Sequence, residues 1–210
     1  MNRCSEAMWR RRSARQPGLG ALILASCMLV GCSSTSTTQS FRVVKDSAAE
    51  SSYIATDADF SKYRRLLGKD MGIHFPTNAP HSDEEVARIR KIFRAAFLAE
   101  LDGYEIVTEP GPDVLVVVPS LIDMRFGTAA DVPDLRGNLS SLAQPGQLLF
   151  LMELRDSETD RVLGRAADSS GEPPQFATPE TNATDWDSVA AAAERWAGLF
   201  RQFLDKNLSR

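Results

Sequence analysis

Residues 114–118 read Val-Leu-Val-Val-Val, and this apolar, mostly β-branched run decides the fold prediction. Such a run is typical of a central strand that is buried on both faces. Pro119 follows it and has no N–H to donate, so we expect a bulge or a sheet edge there. Residues 121–126 continue the strand beyond the proline. This segment therefore predicts the middle of a β-sheet.

Further strands are predicted on both sides of this run. Two short ones cover residues 71–75 and 104–108. Residues 148–155 form a longer strand whose far end is exposed on one face, and residues 161–167 return after a turn over 156–160. These last two segments form a hairpin, and links of hairpin length favour antiparallel pairing.

Two helices complete the pattern. Ser82 and Glu85 form the capping box of the first helix, and apolar residues then recur at three- and four-residue steps as far as Leu101. The second helix starts near Thr184 or Asp185. Its apolar stripe consists of Val189, Ala193, Trp196, Ala197, Phe200, Leu204 and Leu208. Each helix therefore buries one side.

The order β-α-β-β-β-β-α predicts an α+β fold. We expect a single sheet of four to five strands, antiparallel or mixed, with both helices packed on one face.

The first 31 residues have the three parts of a secretory signal. Arginines form a basic n-region, residues 19–30 form an apolar h-region, and Gly31 is small. The apolar run is well short of the roughly 20 residues that span a bilayer, so we predict cleavage. The alternatives are an ordinary signal peptide with an incidental cysteine and a twin-arginine signal at Arg10-Arg11. General secretion is preferred, because no apolar pair follows these arginines.

Leu29-Val30-Gly31-Cys32 resembles the bacterial lipobox. The resemblance implies cleavage between Gly31 and Cys32 and a diacylglyceryl group on the Cys32 thiol, followed by acylation of the new amine. Two or three acyl chains anchor a protein stably where one does not. Serine at position 33 implies the outer membrane rather than the inner one. We therefore expect a lipid-anchored protein of the bacterial envelope, with its domain in the periplasm.

The charge balance of the mature chain argues against nucleic acid. The leader holds five basic residues and one acidic residue, which leaves 19 basic and 27 acidic residues and a net charge of about −8. Two of the three cysteines leave with the leader, and Cys32 is used for lipid, so no thiol remains for a disulfide. Stability must come from an ordinary core.

The chain divides into three parts on this interpretation. Residues 1–31 are the cleaved signal, and residues 32–62 are the lipidated cysteine, a tether and an N-terminal arm. The tether, residues 33–40, is polar and flexible. Residues 63–210 form the single α+β domain.

Few residues suggest chemistry, and we expect neither a catalytic residue nor a cofactor. His74, His81, Asp83 and Glu84 invite a metal site, but we favour a packed His74 and an exposed His81. Serine catalysis lacks a nucleophile elbow, and paired carboxylates at the helix starts are explained by capping. Trp186, at the start of the second helix, is the candidate partner contact, with a lid over the sheet edge as the alternative.

Three segments carry a resemblance to a known family. They are Tyr63 with 69–71 and the helix end at 97–101, then 107–115, and finally 153–159 with 161–163. From Tyr63 to Leu208 the chain resembles a bacterial lipoprotein family known only as a domain of unknown function. It departs from the pattern with Asp160, where glycine is expected, and with Met71, where proline is common. The resemblance implies an envelope lipoprotein and supplies no catalytic residue.

These observations predict a non-enzymatic binding or assembly accessory with an envelope protein as its partner. The expected contact surfaces are the loops over residues 127–146 and 168–183 and the sheet face that the helices leave open. One alternative is a small envelope hydrolase or metal-dependent enzyme. Another is a carrier of an apolar ligand, which requires a cavity between sheet and helices.

Replacing Cys32 with alanine tests the anchor. The Cys32→Ala precursor should stay uncleaved, because the lipoprotein peptidase acts only after the thiol is acylated. Intact-mass analysis of the envelope fraction checks this, and a mature mass in the variant would contradict the prediction.

Overall fold

The computed structural model describes residues 39–77, 81–125, 127, 146–169, 171–178 and 181–208. Within these ranges the chain forms four strands, a helix, four more strands and a second helix. The strands are β1 (Phe41–Val43), β2 (Ser51–Ala55), β3 (Arg65–Gly68), β4 (Gly72–His74), β5 (Glu105–Ile106), β6 (Val114–Asp123), β7 (Leu148–Asp156) and β8 (Val162–Asp168). The helices are α1 (Asp83–Glu100) and α2 (Trp186–Asn207). Neither of these helices is long and apolar enough to cross a bilayer.

One mixed sheet contains all eight strands. Their order is β1-β2-β8-β7-β6-β3-β5, and β4 also pairs with β6. The pairings of β3 with β5 and β6 and of β4 with β6 are parallel, and the others are antiparallel. The α+β class is confirmed, but the expected count of four to five strands is wrong.

The three missed strands are β1, β2 and β3, which have three, five and four residues. A segment this short offers too few positions for an alternating pattern to stand out. Pairing defines these strands instead: β2 aligns along β8, and β3 aligns along β6. The N-terminal arm thus contributes two strands to the sheet.

Local capping signals place both helices where the sequence predicts them. The Ser82 hydroxyl accepts from the Glu85 N–H at 3.2 Å, and the Glu85 carboxylate accepts from the Ser82 N–H at 3.2 Å. At the start of α2 the Asp185 carboxylate accepts from the N–H groups of Asp187 and Ser188. These bonds satisfy donors that have no partner inside the helix.

Phe150 of β7 shows that both helices pack on one face of the sheet. Its ring centroid lies 6.2 Å from that of Phe93 and 5.9 Å from that of Phe97, both in α1. On its other side the Trp196 ring of α2 stacks at 4.6 Å and 9°. The Trp196 indole also donates to Asp168 at 2.8 Å, so a buried polar group on each partner is satisfied.

Pro119 lies inside a continuous β6, opposite Met152 of β7, so the expected bulge or edge is wrong. The interruption occurs in the neighbouring strand instead. β3 follows β6 as far as Val117, and β4 resumes at Ser120. Because Pro119 offers no N–H to a neighbour, the chain leaves the sheet beside it and returns as a separate strand.

The turn between β7 and β8 is organised by Asp156. Its Oδ1 accepts from the N–H groups of Glu158 at 3.2 Å and Thr159 at 2.9 Å. Asp160 then adopts φ 54°, in the left-handed region that glycine occupies at no cost. This conformation explains why the resemblance leads us to expect glycine at this position.

Two substitutions at Asp160 measure the cost of this conformation. Both Asp160→Gly and Asp160→Ala remove the exposed ion pair with Arg155, so their difference isolates the backbone. Asp160→Ala should be less stable than Asp160→Gly by about 1 kcal/mol, because a Cβ is strained at positive φ. Urea unfolding of the two variants side by side checks this. Equal stability would mean that the turn changes conformation without cost.

Candidate functional site

Several predicted site residues lie outside the described residues. These are Gly31 and Cys32, together with positions 128–145 of the predicted contact loop. The described part of segment 168–183 packs against the start of α2. Phe176 is buried there, and the Gln175 N–H donates to the Ser188 hydroxyl at 2.8 Å.

Trp186, the candidate partner contact, is half-buried at the start of α2. The guanidinium of Arg88 lies 3.9 Å from its ring centroid, which is close enough for a cation–π interaction. A residue of α1 therefore already covers one face of the ring. The role of Trp186 as a partner contact stays a prediction.

The expectation for His81 is wrong, because its side chain is only 5% exposed. Its ring lies 3.8 Å from Phe75 and 5.9 Å from Phe176, centroid to centroid. Burial lowers the pKa of His81, against the opposing effect of the Glu85 carboxylate. This histidine belongs to an aromatic cluster rather than to the solvent.

His74 is half-buried on β4, on the same face as Ser120 of β6. A Cβ at Gly72 would lie 3.0 Å from His74 Nε2 and 3.3 Å from Ser120 Oγ, so a larger residue there would require these side chains to shift. Within the described residues no group of three or more His, Cys, Asp or Glu side chains is arranged to hold a metal ion.

Tyr63 and Asp156, which belong to two of the segments that carry the resemblance, meet in the core. The Tyr63 hydroxyl donates to Asp156 Oδ2 at 2.6 Å, and Lys62 Nζ donates to the same oxygen at 2.9 Å. Burial and the bond to Asp156 raise the pKa of Tyr63 to about 12. Burial alone would raise the pKa of Asp156, but bonds from Tyr63, Lys62 and Thr159 outweigh it and hold that pKa well below its ordinary value.

The remaining segment of the resemblance, residues 107–115, joins this network. The Ser157 hydroxyl accepts from the Gly111 N–H at 3.0 Å and donates to the Gly111 carbonyl at 2.7 Å. Arg65 Nε lies 3.1 Å from both oxygens of Asp113, and this bond lowers the pKa of Asp113. The third segment is therefore bonded to both of the others, through Asp156 to Tyr63 and through Ser157 to Gly111.

The sheet face opposite the helices carries a second ionic cluster. Glu153, with its side chain 5% exposed, accepts from Arg155 and from Arg165 at 2.6 Å each. Ile122 and Leu151 on the same face are also buried. This face is thus a structured layer of charges and aliphatic groups, and its role as a contact surface stays a prediction.

A large groove lies between α1 and the edge of the sheet formed by β3 and β5. Its volume is about 620 Å³, and we call it the α1 groove. Leu98 and Ile106, which line it, are 48% and 44% exposed and are among the few large apolar side chains that the described residues leave in solvent. Large exposed apolar residues that cluster in one concavity mark binding surfaces.

The rim of the α1 groove is basic. It carries Lys69, Arg90, Lys91 and Arg94, against one acidic residue, Asp70. Arg94 and Asp70 pair at 3.1 Å, but both side chains are exposed and the pair contributes little. A local excess of positive charge on an acidic protein favours an acidic partner.

The sequence analysis missed this groove, although a signal for it exists. Ala87, Lys91, Arg94 and Leu98 recur at the spacing of one helix face, beside the buried stripe of α1. Leu98, a large apolar residue beside Lys91 and Arg94 on this face, is the feature of the sequence that indicates the groove. Leu98 lines a groove only because β3 and β5 form the wall that faces it, and β3 is one of the strands that the sequence analysis missed.

Comparison with known families confirms the resemblance to a family of unknown function, and the lipid anchor stays a prediction. The family model described as "Protein of unknown function (DUF3313)" matches residues 36–200, which takes in β1 and β2 as well as the part from Tyr63 onward. Comparison with curated proteins gives no match.

Several solved structures are similar to this chain. A DUF4136 family protein from Bacteroides thetaiotaomicron is 12% identical, with a TM-score of 0.41, and the match covers 78% of this chain and 97% of that one. A PelC dodecamer from Paraburkholderia phytofirmans is 10% identical, with a TM-score of 0.36 and coverage of 82% and 99%. A DUF330 protein from Xanthomonas campestris is 14% identical, with a TM-score of 0.31 and coverage of 68% and 81%. None of these likenesses carries an inference about activity.

Removing the Tyr63 hydroxyl tests the core network. Tyr63→Phe should lower the free energy of unfolding by about 2 kcal/mol at pH 7, because a buried bond to a charged acceptor is lost. Tyr53→Phe is the matched control, since its hydroxyl has no hydrogen bond among the described residues. Urea unfolding measures both.

The pH dependence of the Tyr63→Phe penalty has a definite sign. The low pKa of Asp156 stabilises the fold above the pKa of about 3.9 of an unfolded aspartate, and this stability is lost as the pH falls below that value. Tyr63 is one of the groups that hold the folded-state pKa down, and Tyr63→Phe leaves the unfolded-state pKa unchanged. The penalty should therefore be constant from pH 7 to about pH 4 and shrink only at lower pH, where the folded Asp156 begins to take up a proton. A penalty that already shrinks between pH 7 and about pH 5 would contradict the assignment.

Proposed function

The chain belongs to the DUF3313 family of proteins of unknown function, and we propose that it is a non-enzymatic binding or assembly accessory of the bacterial cell envelope. A lipid on Cys32 anchors it, in the outer membrane rather than the inner one, and the domain faces the periplasm. Anchoring raises the effective concentration of the domain near other membrane-bound proteins, so a weak contact suffices.

The placement of the family's polar residues supports a binding role over catalysis. Tyr63 is bonded to Asp156, Ser157 to Gly111, and Asp113 to Arg65. The first two contacts connect the segment before β3 and the turn before β6 to the β7–β8 hairpin, and the third connects β3 to the start of β6. These residues therefore stabilise the fold, and this role explains why they occur in the segments that resemble the family.

The observation that carries the proposal is the α1 groove, which combines exposed Leu98 and Ile106 with a basic rim. The edge of the sheet adds a third feature. β5 pairs with only Arg65 and Leu66 of β3, and the Leu66 carbonyl accepts from the Val107 N–H on that side. The backbone groups of alternate residues face the same side of a strand, so Gly68 also faces this side, and among the described strands none pairs with it there. Backbone groups at a sheet edge can accept another strand.

These features define one kind of partner: an extended polypeptide segment of an envelope protein. Its backbone pairs with Gly68 at the open edge of β3, and its apolar side chains cover Leu98 and Ile106. Acidic residues of the segment face Lys91 and Arg94. Nucleic acid does not fit, because the mature chain is acidic overall.

Site-specific crosslinking tests this surface. A photoreactive amino acid replaces Leu98 in the lipidated protein, and a second protein carries it at Val43, an exposed apolar residue on the distant strand β1. Irradiation of native membranes should give one dominant adduct from position 98, formed through an acidic, extended segment of the partner. Equal adducts from both positions would overturn the proposal.

Charge and polarity changes provide the matched test. Leu98→Asp and Lys91→Glu should each reduce recovery of that partner at least tenfold, whereas Val43→Asp and Lys45→Glu should leave it unchanged. All four positions are exposed, so the changes act on binding more than on stability. Equal losses from the groove and control variants would contradict the assignment of the groove.

A further inference from the structure

A second concavity, separate from the α1 groove, lies between the C-terminal half of α2 and the helix-facing side of β7 and β8. Its volume is about 230 Å³, and we call it the α2 cavity. The walls are mainly apolar and aromatic and include Phe150, Met152, Leu154, Trp196, Phe200 and Phe203. Most of these side chains are buried, so packing in the core fixes the positions of the cavity walls.

The loop between β1 and β2 roofs this cavity with Val44, Ala48 and Ala49. The loop is closed at its base by the Val44 N–H, which donates to the Ser52 carbonyl at 2.8 Å. It is attached to α2 through Lys206, whose Nζ donates to the Asp46 carbonyl at 3.0 Å. A second attachment is Glu50, whose carboxylate accepts from the N–H and the hydroxyl of Ser169. Both attachments are exposed and lie outside the core.

The size and polarity of the α2 cavity define its ligand. An apolar cavity of about 150 Å³ stays free of water and binds benzene, so this larger one has room for a longer apolar group. The Asp168 carboxylate on its wall already accepts from Trp196. The other charged residues of the lining are Asp46, Lys206 and Arg165, and the Arg165 guanidinium is paired with Glu153. Asp46 and Lys206 balance each other, so the cavity selects no charged ligand.

We propose that the α2 cavity binds the methyl end of a single unbranched acyl chain, whose other end extends past the edge of the cavity. The walls offer dispersion contacts along an alkyl group, and Met152 and Leu199 can adapt to its bends. The chain comes either from the lipid proposed on Cys32 or from a free membrane lipid. This site is independent of the α1 groove, and its binding of free lipid does not depend on the anchor.

Quenching of tryptophan fluorescence tests the proposal, because Trp196 forms part of the wall. The protein is the mature chain, residues 32–210, with Cys32→Ala to remove the lipid and Trp186→Phe so that Trp196 is its only tryptophan. Titration with 9,10-dibromostearate should quench at least half of the fluorescence and saturate at one equivalent. Unbrominated stearate should compete and should not quench.

Filling the cavity provides the matched control. Ala166→Leu, in the cavity wall, should weaken the binding of dibromostearate at least tenfold, whereas Ala87→Leu, in the α1 groove, should not. Ala48→Leu fills the cavity from the side of the β1–β2 loop. It replaces Ala166→Leu in this experiment if Ala166→Leu does not fold. Quenching that does not saturate, or that these changes leave intact, would overturn the proposal.

The lipidated protein distinguishes the two sources of the acyl chain. If it is quenched like the Cys32→Ala protein, the cavity takes free lipid. If it resists quenching while the unlipidated protein does not, its own acyl chain occupies the site. The crosslinking test of the α1 groove is unaffected by either result, so the two proposals fail separately.

Discussion

The buried hydrogen bond between Tyr63 and Asp156 is the constraint on which the rest of this domain depends. It joins the segment that leads into β3 to the end of β7, although the two are far apart in the chain. Asp156 also accepts from the first residues of the β7–β8 turn, so one carboxylate positions a strand and a hairpin together. A charged group at this depth is tolerated only because each of its oxygens has donors.

This arrangement explains where the open surfaces lie. With β3 held beside β6, the short β5 ends the sheet and leaves part of the β3 edge next to α1. The α1 groove forms at that place. At the other end of the sheet, the loop between β1 and β2 covers the end of α2 and encloses the α2 cavity. Two helices that share one face of an eight-stranded sheet leave room on both flanks.

The elements that the sequence predicted correctly are those with local causes. The capping box at Ser82 and Glu85, the stripe of α2 and the hairpin around Asp156 each depend on residues within a few positions of one another. The failures involve distant partners. The sequence predicts an exposed His81, but Phe75 and Phe176 bury it. It also predicts a bulge or an edge at Pro119, but β6 is continuous there and the neighbouring strand divides into β3 and β4.

The sequence by itself determined the fold class, both helices, the longer strands and the family. These follow from capping, apolar periodicity and motif spacing, which act over a single turn or strand. The tertiary structure alone decided the number of strands, the function of Tyr63 as a donor to Asp156, and the concavities beside α1 and α2. Each of these depends on contacts between segments that lie tens of residues apart. The spacing of side chains along one segment does not indicate which surface of another segment will pack against it.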